Sequence, residues 1–404
     1  MTKKILIFSL VYYPRFIGGA EVAIKEITDR ISPEDIEFHM VTLWLDRDLP
    51  SFEKIGNVHV HRVGFTGVMK EPADSLKFPL HLNKYLLPIL AYRKAKSLHQ
   101  KHPFSGIWAM MANYSGFGGL FFKMTHPKIP FLLSLQEGDP IDYIKHRTRF
   151  VAPLFRRIFT SADMVQTISH YLGDFAKDMG YEGDVVVVPN AVDTKAFGSK
   201  PSPESLETLK IKLKKGSNDV FLITTSRLVI KNAVDDIVRA LTLLPDNVKF
   251  LILGIGYEEE KLRHLVNDLR LEDRVQFLGY IPHDEMPPFL HVSDVFIRPS
   301  LSEGFGNSFV EAMAAGIPVI ATPVGGIVDF LFDPEKNPVK QPTGLFCEVK
   351  NPESIARQVR KLLENPALRE QIVLSARTMV FEKYDWSHIA EHMKNSVFKK
   401  LLSD

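Results

Sequence analysis

Short apolar runs alternating with longer amphipathic stretches constrain this chain more than any other feature, and the alternation occurs twice. Residues 5–10, 38–43, 58–63, 106–110, 131–135, 164–168 and 185–188 are apolar runs of strand length. Residues 21–30, 82–102, 153–161 and 170–179 between them read as helices. Such alternation predicts βα units around a mostly parallel sheet. The pattern breaks in the polar stretch 194–210, which carries Pro201 and Pro203. It restarts with VFLITTS, VKFLILG, VQFLGY, DVFIRPS and IPVIATP, separated by helical stretches at 235–244, 258–269 and 309–315. The expected fold class is therefore α/β, with two Rossmann-like, doubly wound domains facing across a cleft. The expected boundaries are a first domain over 1–193, a linker over 194–217 and a second domain over 218–383. A last helix within 384–404 is expected to pack back on the first domain. Ligands of open parallel sheets gather at the carboxyl ends of the strands.

A chain of 404 residues exceeds what one core usually serves, which agrees with two domains. The formal charge of +2 gives no global pull toward nucleic acid. The single cysteine, Cys347, can form no disulfide within the chain, so it reads as a small buried hydrophobe in a reducing compartment. No apolar run reaches the roughly 18 residues of a membrane span. The N-terminal run ILIFSLVYY reads as a first strand rather than a leader. The expected location is the cytoplasm.

Several motifs follow predicted strands. Gly18 and Gly19 precede a helix, an arrangement that lets backbone approach an anion. The same pair also fits a plain packing turn. Gly254-Ile-Gly256 begins like a dinucleotide fingerprint, but Glu259 stands where the third glycine belongs. Glu258, Glu259 and Glu260 suit a helix start and would repel a phosphate. That loop reads as a close wall beside the ligand. Arg227 and Lys231 stand four apart after a strand and could supply two cations to a departing diphosphate. In EGFGNSFVEAMAAGIPVIATPVGG, Ser308 stands three residues before Glu311, the spacing of a capping box. Glu303 has no comparable structural role in the sequence. It sits on a glycine-rich loop where a carboxylate could accept bonds from sugar hydroxyls.

Together, GGAE, PNAVD, SRLVIKN and EGFGNSFVEAMAAGIPVIATPVGG resemble the retaining GT-B glycosyltransferases of the "glycosyl transferases group 1" (family 4) set. The resemblance spans nearly the whole chain, and the two-glutamate stretch is its most specific part. It implies transfer of a sugar from a nucleotide-sugar donor to an acceptor hydroxyl, with retention and without an essential metal or other cofactor. It implies that Arg227 and Lys231 bind the donor diphosphate, Glu303 the donor sugar and Glu311 the ribose. Phe305, Gly306 and Asn307 would bring backbone to sugar and phosphate. Gly18 and Gly19 would face phosphate and acceptor, and the segment around Gly279 would contact the base. Asn190 lies in the matching PNAVD. Three positions depart from the family pattern. Gln136 stands where many members have a histidine, with Glu137 and Asp139 following closely as further candidate contacts. Ala191 replaces a glycine, which argues against positive φ there. Asn232 replaces the glycine after Lys231.

Other readings remain open in the sequence. Asp46-x-Asp48 is the acidic pair of metal-dependent, single-domain transferases, but it also reads as a polar loop. A nucleotide-sugar epimerase, a phosphorylase or a non-catalytic sugar-nucleotide-binding protein could share the two-domain form. His59 and His61 lie at strand spacing on one face, and with no third ligand evident they read as a solvated strand face rather than a metal pair. The 82–102 stretch mixes leucines with Lys84, Arg93, Lys94, Lys96 and Lys101, with Pro88 inside it. It reads as a core-packing helix with a basic outer face, or as a helix lying on an anionic membrane. The expected acceptor is a cell-envelope glycan or a lipid-linked one, with peripheral membrane contact.

Overall fold

The computed structural model describes residues 2–68 and 78–403. The chain divides into two compact units, Met1–Asn190 with Trp386–Asp404, and Ala191–Asp385.

The first unit is built on an eight-stranded sheet. Its strands are β1 (Lys3–Phe8), β2 (Ile36–Leu43), β3 (Phe52–Ile55), β4 (Val58–Val63), β5 (Gly106–Met110), β6 (Phe131–Leu135), β7 (Met164–Thr167) and β8 (Val185–Val187). The spatial order is β3-β4-β2-β1-β5-β6-β7-β8. All neighbours are parallel except β3, which returns antiparallel along β4. Every residue of β5 and β6 is buried, as expected of central strands covered on both faces. The apolar pattern of the sequence omits β3. Its FEKI alternates exposed and half-buried residues, and its charged pair keeps an open sheet edge from pairing further.

The helix Tyr114–Thr125 is also missing from the expected elements, because its YSGFGG start is poor in helix formers. The glycines are there for approach. A Cβ on Gly118 would stand 3.0 Å from the Phe8 ring, and one on Gly119 would stand 3.0 Å from that of Phe131. The helix lies against the sheet more closely than side chains would permit. The helix Asn83–Lys101 runs through Pro88 without stopping. Its Leu87, Ala91, Ala95 and Leu98 are buried, so its apolar stripe is spent inside the unit.

Trp386–Leu402 is helical almost throughout and belongs to this first unit. Phe398 is fully buried, edge-on to Phe38 at 5.7 Å and to Trp108 at 5.1 Å between centroids. The Trp108 indole N–H donates to the Ser134 hydroxyl at 2.7 Å.

The second unit has a six-stranded, all-parallel sheet. Its strands are β9 (Val220–Thr225), β10 (Val248–Leu253), β11 (Val275–Gly279), β12 (Val295–Arg298), β13 (Val319–Ala321) and β14 (Leu345–Phe346), in the order β11-β10-β9-β12-β13-β14. The polar stretch 194–217 holds two short helices, Thr194–Gly198 and Pro203–Lys212. Asp193 caps the first by accepting from the Lys195 and Ala196 amides, and Ser202 caps the second. Phe197 is buried, and its carbonyl lies 3.0 Å from His291 Nε2.

Phe398→Ala should destabilise the first unit by about 3–5 kcal/mol, the usual cost of emptying a buried aromatic site. A urea midpoint equal to that of the unaltered protein would show that the C-terminal segment adds nothing to this core.

Candidate active site

The strand order decides where ligands can gather in the second unit. From β9 the sheet grows one way to β10 and β11 and the other way to β12, β13 and β14. The loops after β9 and β12 therefore diverge at the carboxyl edge, which is the switch point of a doubly wound sheet. Arg227 and Lys231 stand on the connection after β9, and Glu303, Gly306 and Asn307 on that after β12. The Lys231 carbonyl accepts from the Leu301 amide at 2.7 Å, so the two connections touch. Arg227 is exposed and Lys231 half-buried.

Arg298, the last residue of β12, joins these loops, and no sequence motif singles it out. Its Nη2 donates to the Glu303 carboxylate and, at 3.4 Å, to Asn232 Oδ1. Its Nη1 donates to the Ser308 hydroxyl at 2.8 Å, and its Nε to Ser300 at 3.2 Å. Asn232 in turn donates to the Arg227 carbonyl at 2.7 Å. A charged residue ending an apolar strand was the available signal. Glu303 is 7% exposed and has a structural role after all, as the buried partner of Arg298.

Close backbone approaches explain several glycines. Gly306 precedes the helix Asn307–Ala315 at φ +91, where a Cβ would stand 2.5 Å from the Phe309 ring. Gly325, after β13, has φ +55, and a Cβ would fall 1.8 Å from the Glu303 carbonyl oxygen. The next amide, of Gly326, donates to that same oxygen at 3.1 Å. A third loop thus backs Glu303. Phe305 turns inward, its ring 5.0 Å from Phe330, so only its backbone remains for a ligand. Gly254 and Gly256 press against the carbonyls of Ser226 and Leu228, where a Cβ would lie at 1.9 and 2.2 Å. Gly279 is different: its φ is +70 and nothing lies within 4 Å of a Cβ there.

The capping box expected at Ser308 and Glu311 is not formed. The helix starts at Asn307 with Gly306 as its cap, and the Ser308 hydroxyl is taken by Arg298. Glu311 lies in mid-helix, with one carboxylate oxygen 3.0 Å from His283 Nε2. Ala233, not Asn232, takes the left-handed conformation, at φ +48.

In the first unit, Gly18 donates its amide to the Glu21 carboxylate at 2.8 Å, at the start of the helix Gly19–Asp29. An anion arriving there would compete with Glu21, the last residue of the GGAE motif, whose role is not evident from the sequence. Gln136 and Asn190 come together after β6 and β8, with the Asn190 amide donating to Gln136 Oε1 at 3.1 Å. Asp139 is exposed on the same loop. Glu137 is buried. One oxygen accepts from the Ala112 amide at 2.6 Å, and the other has no hydrogen-bond partner. Burial, assisted by Asp139, pushes its carboxyl up to about 7 against the opposing backbone donors. Met111, which precedes Ala112, is held at φ +71, a strained setting for its residue type. Ala191 has no positive φ.

Asp46 is fully buried and paired with Arg15, while Asp48 is exposed, so that pair is a polar turn. His59 and His61 do not lie on a solvated face. His61 is buried, His59 is half-buried, and His39 of β2 stacks on His59 with centroids 4.8 Å apart.

Both units match known proteins. The family described as Glycosyl transferases group 1 matches residues 206–379, and Glycosyltransferase Family 4 matches residues 17–196. An uncharacterised glycosyltransferase of Methanocaldococcus jannaschii is 26% identical over 396 residues, which is 97% of each chain. A GDP-mannose-dependent monoacylated alpha-(1-6)-phosphatidylinositol monomannoside mannosyltransferase of Corynebacterium glutamicum is 29% identical over 252 residues, 59% of this chain and 63% of its own. Among solved structures, HepE of Anabaena in complex with UDP and glucose superposes with a TM-score of 0.75 at 20% identity, over 98% of this chain and 100% of that one. Matched in both units and built on two largely parallel sheets that superpose on a solved neighbour over nearly their whole length, the chain belongs to the group 1 glycosyltransferases of GT-B fold.

Proposed function

We propose that the protein moves a glycosyl residue from a nucleotide-sugar donor to the hydroxyl of a glycan or lipid-linked acceptor, with retention and without a metal at the reacting centre. The observation that carries this reading is the junction at the carboxyl edge of the second sheet. There the loop bearing Arg227 and Lys231 is bonded to the loop bearing Glu303. Cations beside a buried carboxylate and glycine-lined backbone suit a diphosphate joined to a polyhydroxyl ring.

In this reading Arg227 and Lys231 bind the diphosphate, Glu303 accepts from a donor-sugar hydroxyl, and Asn307 and the Gly306 backbone meet sugar and phosphate. Glu311 takes the ribose with the oxygen that His283 leaves, and Gly279 offers an open backbone to the base. The bond from the anomeric carbon to the phosphate oxygen breaks as cationic character grows on the ring. Arg227 and Lys231 offset the charge gathering on the leaving diphosphate. The acceptor oxygen bonds to the anomeric carbon on the same face, and its proton passes to the leaving phosphate oxygen. The relatives differ in nucleotide, GDP for the mannosyltransferase and UDP for HepE, so the base remains for experiment.

The acceptor side is assigned to Gly18, Gly19, Gln136, Asp139 and Asn190 of the first unit, with Glu137 bracing their loop against Ala112. A lipid-linked acceptor is favoured by the exposed aromatic and basic side chains on the C-terminal side of that loop. The helix Ile141–Thr148 leads to Phe150, which is 83% exposed with the Arg149 guanidinium 4.3 Å over its ring. Tyr143 and Val151 are exposed beside it, along with Arg147. Exposed aromatics flanked by arginines suit the interface of an anionic membrane. The helix Asn83–Lys101 is a poorer candidate, since its apolar stripe is buried in the unit. No helix among the described residues is long and apolar enough to cross a membrane. A cytoplasmic, membrane-peripheral location is part of this proposal.

Lys231→Ala should lower kcat/KM by about 10²–10³, the scale of losing one transition-state charge contact. It should also abolish the thermal stabilisation given by UDP or GDP, read as the rise in Tm over the same variant without nucleotide. Near-normal turnover would remove Lys231 from the site. The pH test concerns Glu137, whose folded pKa is raised. Its stabilising protonated form is complete below the ordinary carboxylate range and lost as pH climbs through about 7. The Tm of Glu137→Gln relative to the unaltered protein should therefore rise between about pH 5 and about pH 8. An offset equal at both values would refute this. On liposomes, sedimentation should require anionic lipid and should be lost in the Arg149→Glu, Phe150→Asp double variant. Binding that is indifferent to lipid charge, or retained by this variant, would overturn the membrane assignment.

A further inference from the structure

We infer that Glu37, His39 and His59 form a binding site for one divalent transition-metal ion of the zinc class, at the edge of the first unit's sheet. Glu37 and His39 lie two apart on β2, hence on one face, and His59 of β4 stands in register with His39. One ligand atom from each of the three lies within 4.8 Å of the others. Two imidazoles and a carboxylate are a donor set suited to such an ion, with bonds of about 2.0–2.2 Å. The separation is somewhat wider than a bound ion needs. The His39 and His59 rings, now stacked within 15° of parallel, must tilt toward each other to converge. Partly exposed His59 and Glu37 have room to do so.

The surroundings resemble the outer layer of a metal site. His61 Nε2 lies 3.4 Å from His39 Nδ1, so a proton shared there leaves His39 Nε2, now 2.5 Å from Glu37, to face the ion. His102 packs on His39 at 5.2 Å and Phe52 on His59 at 6.2 Å, walling the cluster. Lys4 pairs with Glu37 at 3.3 Å and would have to yield part of that contact.

The cluster is remote from the proposed chemistry in the plan of the sheet. Glu37, His39 and His59 sit in the first halves of their strands, whereas Gly18 and Gln136 follow the carboxyl ends of theirs. The ion would clamp β4, and with it the edge strand β3, to β2. Its role is structural and leaves a metal-free transfer step untouched.

The test uses full-length protein with any affinity tag removed, Zn(II) or Co(II) as the probe, and calorimetry. One equivalent of Zn(II) should bind and raise Tm, and Co(II) should give the absorption of a low-coordinate nitrogen–oxygen site. Glu37→Gln and His59→Ala, both at partly exposed positions, should each weaken Zn(II) binding by at least about tenfold while keeping the metal-free Tm and transferase activity. The proposal is overturned if the unaltered protein takes up no Zn(II) at micromolar concentrations. It is equally overturned if both variants bind as tightly as the parent.

Discussion

The second unit turns on one guanidinium. Arg298 has five donor hydrogens in a fixed plane, and its partners are Glu303, Asn232, Ser300 and Ser308. These come from the ends of two neighbouring connections and the first turn of a helix. A buried ion pair of this kind is costly to assemble and costlier to break, because removing one partner strands the other charge. The positions of Arg227, Lys231 and Glu303 relative to one another follow from this network. Loss of activity on altering Glu303 would therefore mix two effects, a missing ligand contact and a released Arg298. Ser308, a neutral residue that meets Arg298 through its hydroxyl, offers a gentler way to disturb the same junction.

Glycines complete what the ion pair begins. Gly325 lets the loop after β13 lie against the Glu303 backbone, and Gly306 lets the helix Asn307–Ala315 start beside it. Gly254 and Gly256 do the same between the loops after β10 and β9. Each of these contacts is made at distances that no added side chain would tolerate. The second unit thus presents a closely packed floor of backbone beside the charged side chains.

Much of this was legible in the residues. Most of the expected strands are present within a few residues, because a buried parallel strand is a nearly continuous apolar run whatever surrounds it. The sequence reading of Gly254 and Gly256 as a close wall agrees with their tight approach to the carbonyls of Ser226 and Leu228. The omissions have physical causes. The strand Phe52–Ile55 is an edge strand with charges, and the helix Tyr114–Thr125 is rich in glycine. Both obey tertiary needs against local propensity. Ser308 and Glu311 have the spacing of a capping box, yet Arg298, ten residues before Ser308, holds the hydroxyl that would have formed it. His59 and His61 read as solvated because His39, which stacks on both, lies on β2, some twenty residues earlier in the sequence.

By itself the sequence determined the α/β class, the two sheets, the family resemblance and the candidate residues, because periodicity and motif spacing are local properties of the chain. The tertiary structure alone decided which polar side chains meet. Arg298 with Asn232, Gln136 with Asn190, Glu137 with the Ala112 amide and His39 with His59 are pairings between loops or strands. Their proximity depends on strand order, and strand order emerges only when the sheets close.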